Sequence, residues 1–118
     1  MGGERGVVVA LVMMVAMMAT MLNVVRAGQH VVQWTPQSYQ DMNVSVGDSI
    51  GFKFERGKYN VMEVSQSDYA TCTTTPIGTI YTSGLGAYRF TGAGTHYFIC
   101  GIPPHCKTGQ MKITVNVI

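Results

Sequence analysis

The sequence predicts an all-β domain, a sandwich or barrel of short strands, and three observations carry that expectation. Apolar and polar residues alternate with period two, as where Ile50, Phe52 and Phe54 interleave with Gly51, Lys53 and Glu55, the pattern of a strand with one buried face. Such runs are short and recur at regular spacing between turn signals such as Gly47-Asp48 and Gly57-Lys58, as in sandwiches and barrels. No stretch after residue 28 shows the 3.6-residue apolar period of an amphipathic helix.

The 118 residues allow one domain, preceded by what reads as an export leader over residues 1–27. Glu4 and Arg5 open it, residues 7–22 carry no charge, and Val25-Arg26-Ala27 puts small residues at the two positions a signal peptidase reads. Cleavage is expected after Ala27, leaving residues 28–118 as the mature domain. An uncleaved anchor is disfavoured because the apolar run is shorter than the ~20 residues of a spanning helix. The last residues continue a strand pattern rather than a hydrophobic tail, so no lipid or membrane anchor is expected.

Within the domain, strands are predicted near residues 31–34, 44–46, 50–54, 59–64, 80–82, 87–90, 95–100 and 111–117. The Thr-rich segment at residues 68–77 is left without an assigned helix. Setting aside Arg5, Arg26 and Glu4, totals of eight basic and six acidic residues become six and five. That balance gives no electrostatic case for binding nucleic acid or a membrane surface. Asn43-Val44-Ser45 is a glycosylation sequon, with Asn43 the acceptor.

The chemistry concentrates in the segment that runs from Cys100 through Pro103-Pro104-His105-Cys106 to Gly109-Gln110-Met111. A thiol, an imidazole, an amide and a thioether there are the donor types of a copper electron-transfer site, in which a Cys thiolate and two His nitrogens form a plane beneath a weak axial Met or Gln. Three cysteines in an exported domain leave one thiol over. Cys100 ends a strand run leading to His105, Cys106 follows that histidine directly, and Cys72 sits in the Thr-rich loop. The expected disulfide is therefore Cys72–Cys106, with Cys100 free; the competing reading of Cys100 is an inert buried thiol.

These residues resemble the phytocyanins, secreted plant blue-copper proteins, and most closely their plantacyanin or basic blue branch. The resemblance spans residues 28–118 and rests on Trp34-Thr35, Val46-Gly47-Asp48, Asn60-Val61, Cys72, Ile80-Tyr81-Thr82-Ser83-Gly84, Tyr97-Phe98-Ile99-Cys100, His105-Cys106 and Gly109. It implies a Greek-key, cupredoxin-like β-sandwich, a Cys72–Cys106 disulfide, and one copper ion held by Cys100, His105 and an axial residue just after Gly109.

One position departs from the resemblance. The family carries a histidine directly before the Asn-Val pair, and here Tyr59 stands before Asn60-Val61. A phenol with an ordinary pKa near 10 is a poor ligand at neutral pH, so Tyr59 is expected to fill the volume of the missing ring and hydrogen-bond through its hydroxyl. Neither His30 nor His96 can be placed at the empty corner from sequence. The axial position is also open: spacing from Gly109 favours Gln110, whereas strand parity with Ile113, Val115 and Val117 favours Met111.

Two functional classes follow. One is an extracellular single-electron carrier with an impaired or altered copper site, located in the apoplast or cell wall and expected to be a monomer that meets a redox partner near His105. The other is a copper-free binding or signalling module with a cell-wall or cell-surface partner. An enzyme is not expected, because the pair Cys100 and His105 comes with no orienting acid or oxyanion donor.

Overall fold

Burial alternates residue by residue along Ser49–Lys53 and Lys112–Val117, as a strand with one buried face requires. The computed structural model describes residues 27–118, and the expected leader lies outside them except for Ala27. Eight strands are formed: β1 (Gln29–Gln33), β2 (Met42–Val44), β3 (Ser49–Lys53), β4 (Val61–Val64), β5 (Ile77–Tyr81), β6 (Leu85–Arg89), β7 (Gly94–Ile99) and β8 (Lys112–Val117). They make a three-stranded sheet ordered β1-β3-β6 and a five-stranded sheet ordered β2-β8-β7-β4-β5. The predicted all-β sandwich is therefore what the chain adopts. The strand order is not sequential, so the chain crosses between sheets as Greek-key connections do. The pairs β1/β3 and β2/β8 are parallel and the others antiparallel.

Parity sets which side chains meet between the sheets. Ile50 and Phe52 point inward from β3, and Ile113, Val115 and Val117 from β8. Trp34 packs edge-on against Phe52 at 5.0 Å between ring centroids, and Phe52 reaches Phe98 of β7 at 5.1 Å. These aromatic contacts bridge the two sheets, and burial of such rings dominates core energetics.

Sequence patterning missed one helix, α1 (Gln66–Thr71). Its periodicity was invisible because none of its residues is buried. The signals that form it are caps: Ser65 is extended and its Oγ accepts from the Asp68 amide at 3.2 Å, while Cys72 adopts φ 55° and closes the far end. The Thr73 amide then bonds Asp68 O at 2.9 Å, completing a Schellman-type stop.

Strand ends also differ from expectation at four residues that belong to the candidate site or support it. Trp34, Tyr59, Cys100 and Met111, expected within strands, lie just outside β1, β4, β7 and β8. The backbone leaves the regular ladder there to gather side chains at one end of the sandwich. Two long-range bonds hold these departures, Trp34 N to Lys53 O at 2.7 Å and Cys100 N to Met111 O at 3.0 Å.

Candidate metal centre

The loop between β7 and β8 folds back on itself through its own backbone. The His105 amide bonds Ile102 O at 3.1 Å, Thr108 bonds Pro104 O at 3.0 Å, and Met111 bonds His105 O at 3.0 Å. With the Cys100 to Met111 bond closing the loop, residues 100, 105 and 111 are brought together. Cys100 and Met111 are buried, and His105 is half-buried.

Cys100 Sγ stands 3.6 Å from His105 Nδ1. Two donors at that separation can share one first-row ion: with metal–sulfur near ~2.3 Å and metal–nitrogen near ~2.0–2.1 Å, the angle between them is about 110°. A thiolate and an imidazole beside a thioether form a soft donor set that suits copper. Met111 continues the buried parity of β8. Gln110 is exposed, with φ 53°, and its Oε1 is met by the Ser38 hydroxyl. Of the two axial candidates, the fold turns Met111 inward and Gln110 toward the surface.

Glycine shapes the loop at two close approaches. A Cβ on Gly109 would stand 2.6 Å from His105 O and 3.1 Å from Pro36 Cβ. One on Gly101 would meet the mobile end of Met62, Cε, and Asn60 Oδ1 at 3.3 Å. The first obstacle is backbone that cannot yield without moving His105.

Tyr59 packs beside His105. It is 9 % exposed, and its ring meets that of His105 at 4.9 Å with an interplanar angle of 63°. Its ring belongs to the buried core cluster, and its hydroxyl finds no protein partner among the described residues, contrary to expectation. The neighbouring residue does the polar work: Asn60 Oδ1 accepts from the Gly101 amide at 2.6 Å, and Asn60 O accepts from Trp34 Nε1 at 2.8 Å. In the sequence Trp34 and Asn60 are visible only as residue types, and the clamp joins positions 26 apart.

The other histidines are engaged elsewhere. His30 Nε2 lies 2.9 Å from Asp48 Oδ2, and His96 Nδ1 lies 2.9 Å from Glu63 Oε2. His96 also packs on Phe90 at 4.9 Å between centroids. Among the described residues no group of three or more His, Cys, Asp or Glu side chains is placed to hold a metal ion. The site thus offers two strong donors and a thioether, which fits copper with one strong donor fewer than a trigonal plane requires.

The Cys72–Cys106 disulfide is formed as expected, with Cα atoms 5.9 Å apart, and Cys100 is the free thiol. It ties the C-cap of α1 to the residue after His105. A cavity of about 390 Å³ lies along it, walled by Cys100, Ile102 and Pro103 as well as by the bridge. On the opposite sheet edge, Asn43 is exposed in β2, and its Oδ1 accepts from Asn116 Nδ2 at 3.2 Å.

Residues 25–110 match the plastocyanin-like domain family. The chain is 40% identical over 77 residues to a blue copper protein of Pisum sativum, an alignment covering 65% of this chain and 40% of that protein. It is 39% identical over 72 residues to the basic blue protein of Cucumis sativus, covering 61% of this chain and 73% of that one. The chain therefore spans less than half the length of the pea relative. Among solved structures, spinach plantacyanin superposes with a TM-score of 0.65 at 30% identity, over 77% of this chain and 100% of that one. Fold, disulfide, ligand loop and these likenesses agree: the chain belongs to the phytocyanins, within the plastocyanin-like domain family.

Proposed function

We propose that this chain is a secreted, blue-copper-like single-electron carrier with an altered copper site. The observation that carries this reading is the Cys100 Sγ to His105 Nδ1 separation of 3.6 Å beside buried Met111. Copper bound there supplies a one-electron couple. Cys100 and His105 are the residues that would hold it, with Met111 as the weak axial neighbour.

The surrounding residues keep that donor set still. Asn60 fixes the Gly101 amide directly after Cys100, Trp34 fixes Asn60, and the disulfide fixes the residue after His105. Outer contacts of this kind orient donor side chains and hold them through a change of charge. His105, half-buried at the end of the sandwich, offers the edge through which a redox partner exchanges electrons. Tyr59 shields one side without supplying a nitrogen, so the remaining coordination position is left to water or a small added ligand.

The leader pattern over residues 1–27 and the odd thiol are consistent with the secretion proposed, since both fit an oxidising compartment. Among the described residues no helix is long and apolar enough to cross a membrane. A second reading, a copper-free binding module at the cell surface, is favoured by one observation, the phenol of Tyr59 packed where a third strong donor would stand. Metal analysis and a visible spectrum of the copper-reconstituted protein separate the two. Near one copper per chain with a weak or added-ligand-dependent thiolate-to-copper band supports the carrier with its altered site, and a protein that stays metal-free supports the module.

A further inference from the structure

The first strand begins against a buried charge. Asp48 is 7 % exposed and is the one charged side chain buried among the described residues. Its backbone is fixed on both sides, the amide bonding Ser45 O at 3.0 Å and the carbonyl accepting from Phe90 N at 2.9 Å. Its Oδ2 accepts from His30 Nε2 at 2.9 Å and from the Ser45 amide at 3.0 Å, and its Oδ1 accepts from Gly28 N at 2.7 Å. Gly28 is held there by β3, since its carbonyl accepts from Ser49 N at 3.0 Å. A Cβ on Gly28 would lie 3.2 Å from Asp48 Oδ1 and 3.3 Å from Oδ2, so this residue sits directly on the carboxyl group.

Gly28 is also the residue expected to follow the cleaved leader. The nitrogen resting on Asp48 is therefore the one that cleavage after Ala27 releases. Within the peptide bond it is neutral and donates one hydrogen. Hydrolysis gives the hydroxyl of water to the Ala27 carbonyl carbon and its hydrogen to Gly28 N. The amine then takes the proton that the new carboxyl group loses, since an α-amino group with an ordinary pKa of about 7.7–8.0 is charged near neutral pH.

We propose that removal of the leader fastens the first strand, the new α-ammonium of Gly28 forming an ion pair with buried Asp48. This rests on the leader reading and adds to it a structural consequence of processing. A charge-assisted hydrogen bond is roughly twice as strong as a neutral one, and a buried carboxylate is costly unless paired. His30 shares the carboxylate through Oδ2, and Arg89 lines the same recess as Gly28. Both are present before and after cleavage, so the charge that processing changes here is that of Gly28. The fastened strand leads to Trp34, whose Nε1 holds Asn60 O, and Asn60 in turn holds the Gly101 amide beside Cys100.

Melting temperatures of the mature chain beginning at Gly28 and of one that keeps Ala27 test this. The extra residue moves the ammonium ~3.8 Å outward. Keeping Ala27 is expected to lower Tm near pH 6.5 by about 4–8 °C. A carboxylate partner raises the proton affinity of the folded chain's amine, so the difference is expected to be full below about pH 7.7 and to shrink as pH rises toward 10.5. In Asp48→Asn the two termini are expected to melt together; if that variant does not fold, the pH comparison decides alone. Equal melting temperatures in the unaltered pair, a difference undiminished at pH 10.5, or one that survives Asp48→Asn would each overturn the ion pair. Intact mass of the secreted protein separately tests the processing step: a chain beginning at Gly28 supports it, and one beginning elsewhere overturns it whatever the two defined chains show.

Discussion

Tyr59 puts a ring beside His105 and brings no nitrogen donor to the pair that Cys100 and His105 form. Around it, single residues differ in how much change they tolerate, and the two loop glycines make the contrast measurable. A methyl on Gly109 meets the carbonyl of His105, whereas one on Gly101 meets the flexible tip of Met62. Gly109→Ala is therefore expected to cost about 1–3 kcal/mol, as overpacking against fixed atoms does, and Gly101→Ala clearly less. Urea midpoints of the two variants check the order; equal losses would mean that the loop is softer than its hydrogen bonds indicate. The sequence showed both glycines and Met111 by type and parity, and the structure turns Met111 inward as parity required. It could not show that Gln110 takes a left-handed backbone and meets Ser38, because that contact joins residues 72 apart in sequence.

At the scale of elements, the strands were legible and the helix was not, for a physical reason. Period-two burial writes itself into β3 and β8 as Ile50/Phe52 and Ile113/Val115/Val117, while α1 buries nothing and is specified by Ser65 and Cys72 at its ends. Strand limits blurred where the chain leaves the ladder to build the site, at Trp34, Tyr59, Cys100 and Met111, since apolar patterning continues past the last ladder bond. The disulfide joins this short helix to the ligand loop across 34 residues. Closing such a loop is worth about 4 kcal/mol in the chain-entropy account, so Cys72→Ser/Cys106→Ser is expected to lower unfolding free energy by about 2–5 kcal/mol. The loss is expected to be accompanied by faster hydrogen exchange in residues 66–73 and 101–109. Exchange confined to the rest of the sandwich would show that the bridge serves the whole fold rather than this end.

For the whole molecule, attachment of the first strand depends on charge. Asp48 accepts from His30 Nε2 at 2.9 Å, from the Ser45 amide at 3.0 Å and from the Gly28 amide at 2.7 Å. These bonds, led by that from His30, hold its carboxyl at about 2, below the usual carboxylate range. A depressed folded-state pKa contributes stability that is complete above the unfolded value of about 3.9 and disappears as pH falls toward 2. Asp48→Asn is expected to lower the urea midpoint at neutral pH and to narrow the difference between neutral pH and about pH 3; an unchanged acid sensitivity would place the titrating group elsewhere. The central claim, that Cys100, His105 and Met111 form a copper site short of one strong donor at Tyr59, is tested most directly by the visible spectrum of Cu(II)-loaded protein, wild type beside Tyr59→His. The account predicts weak or ligand-dependent colour in the wild type and an intense thiolate-to-copper band with raised Cu(II) affinity in the variant. An intensely blue wild type, or a Tyr59→His protein that stays colourless, would contradict it.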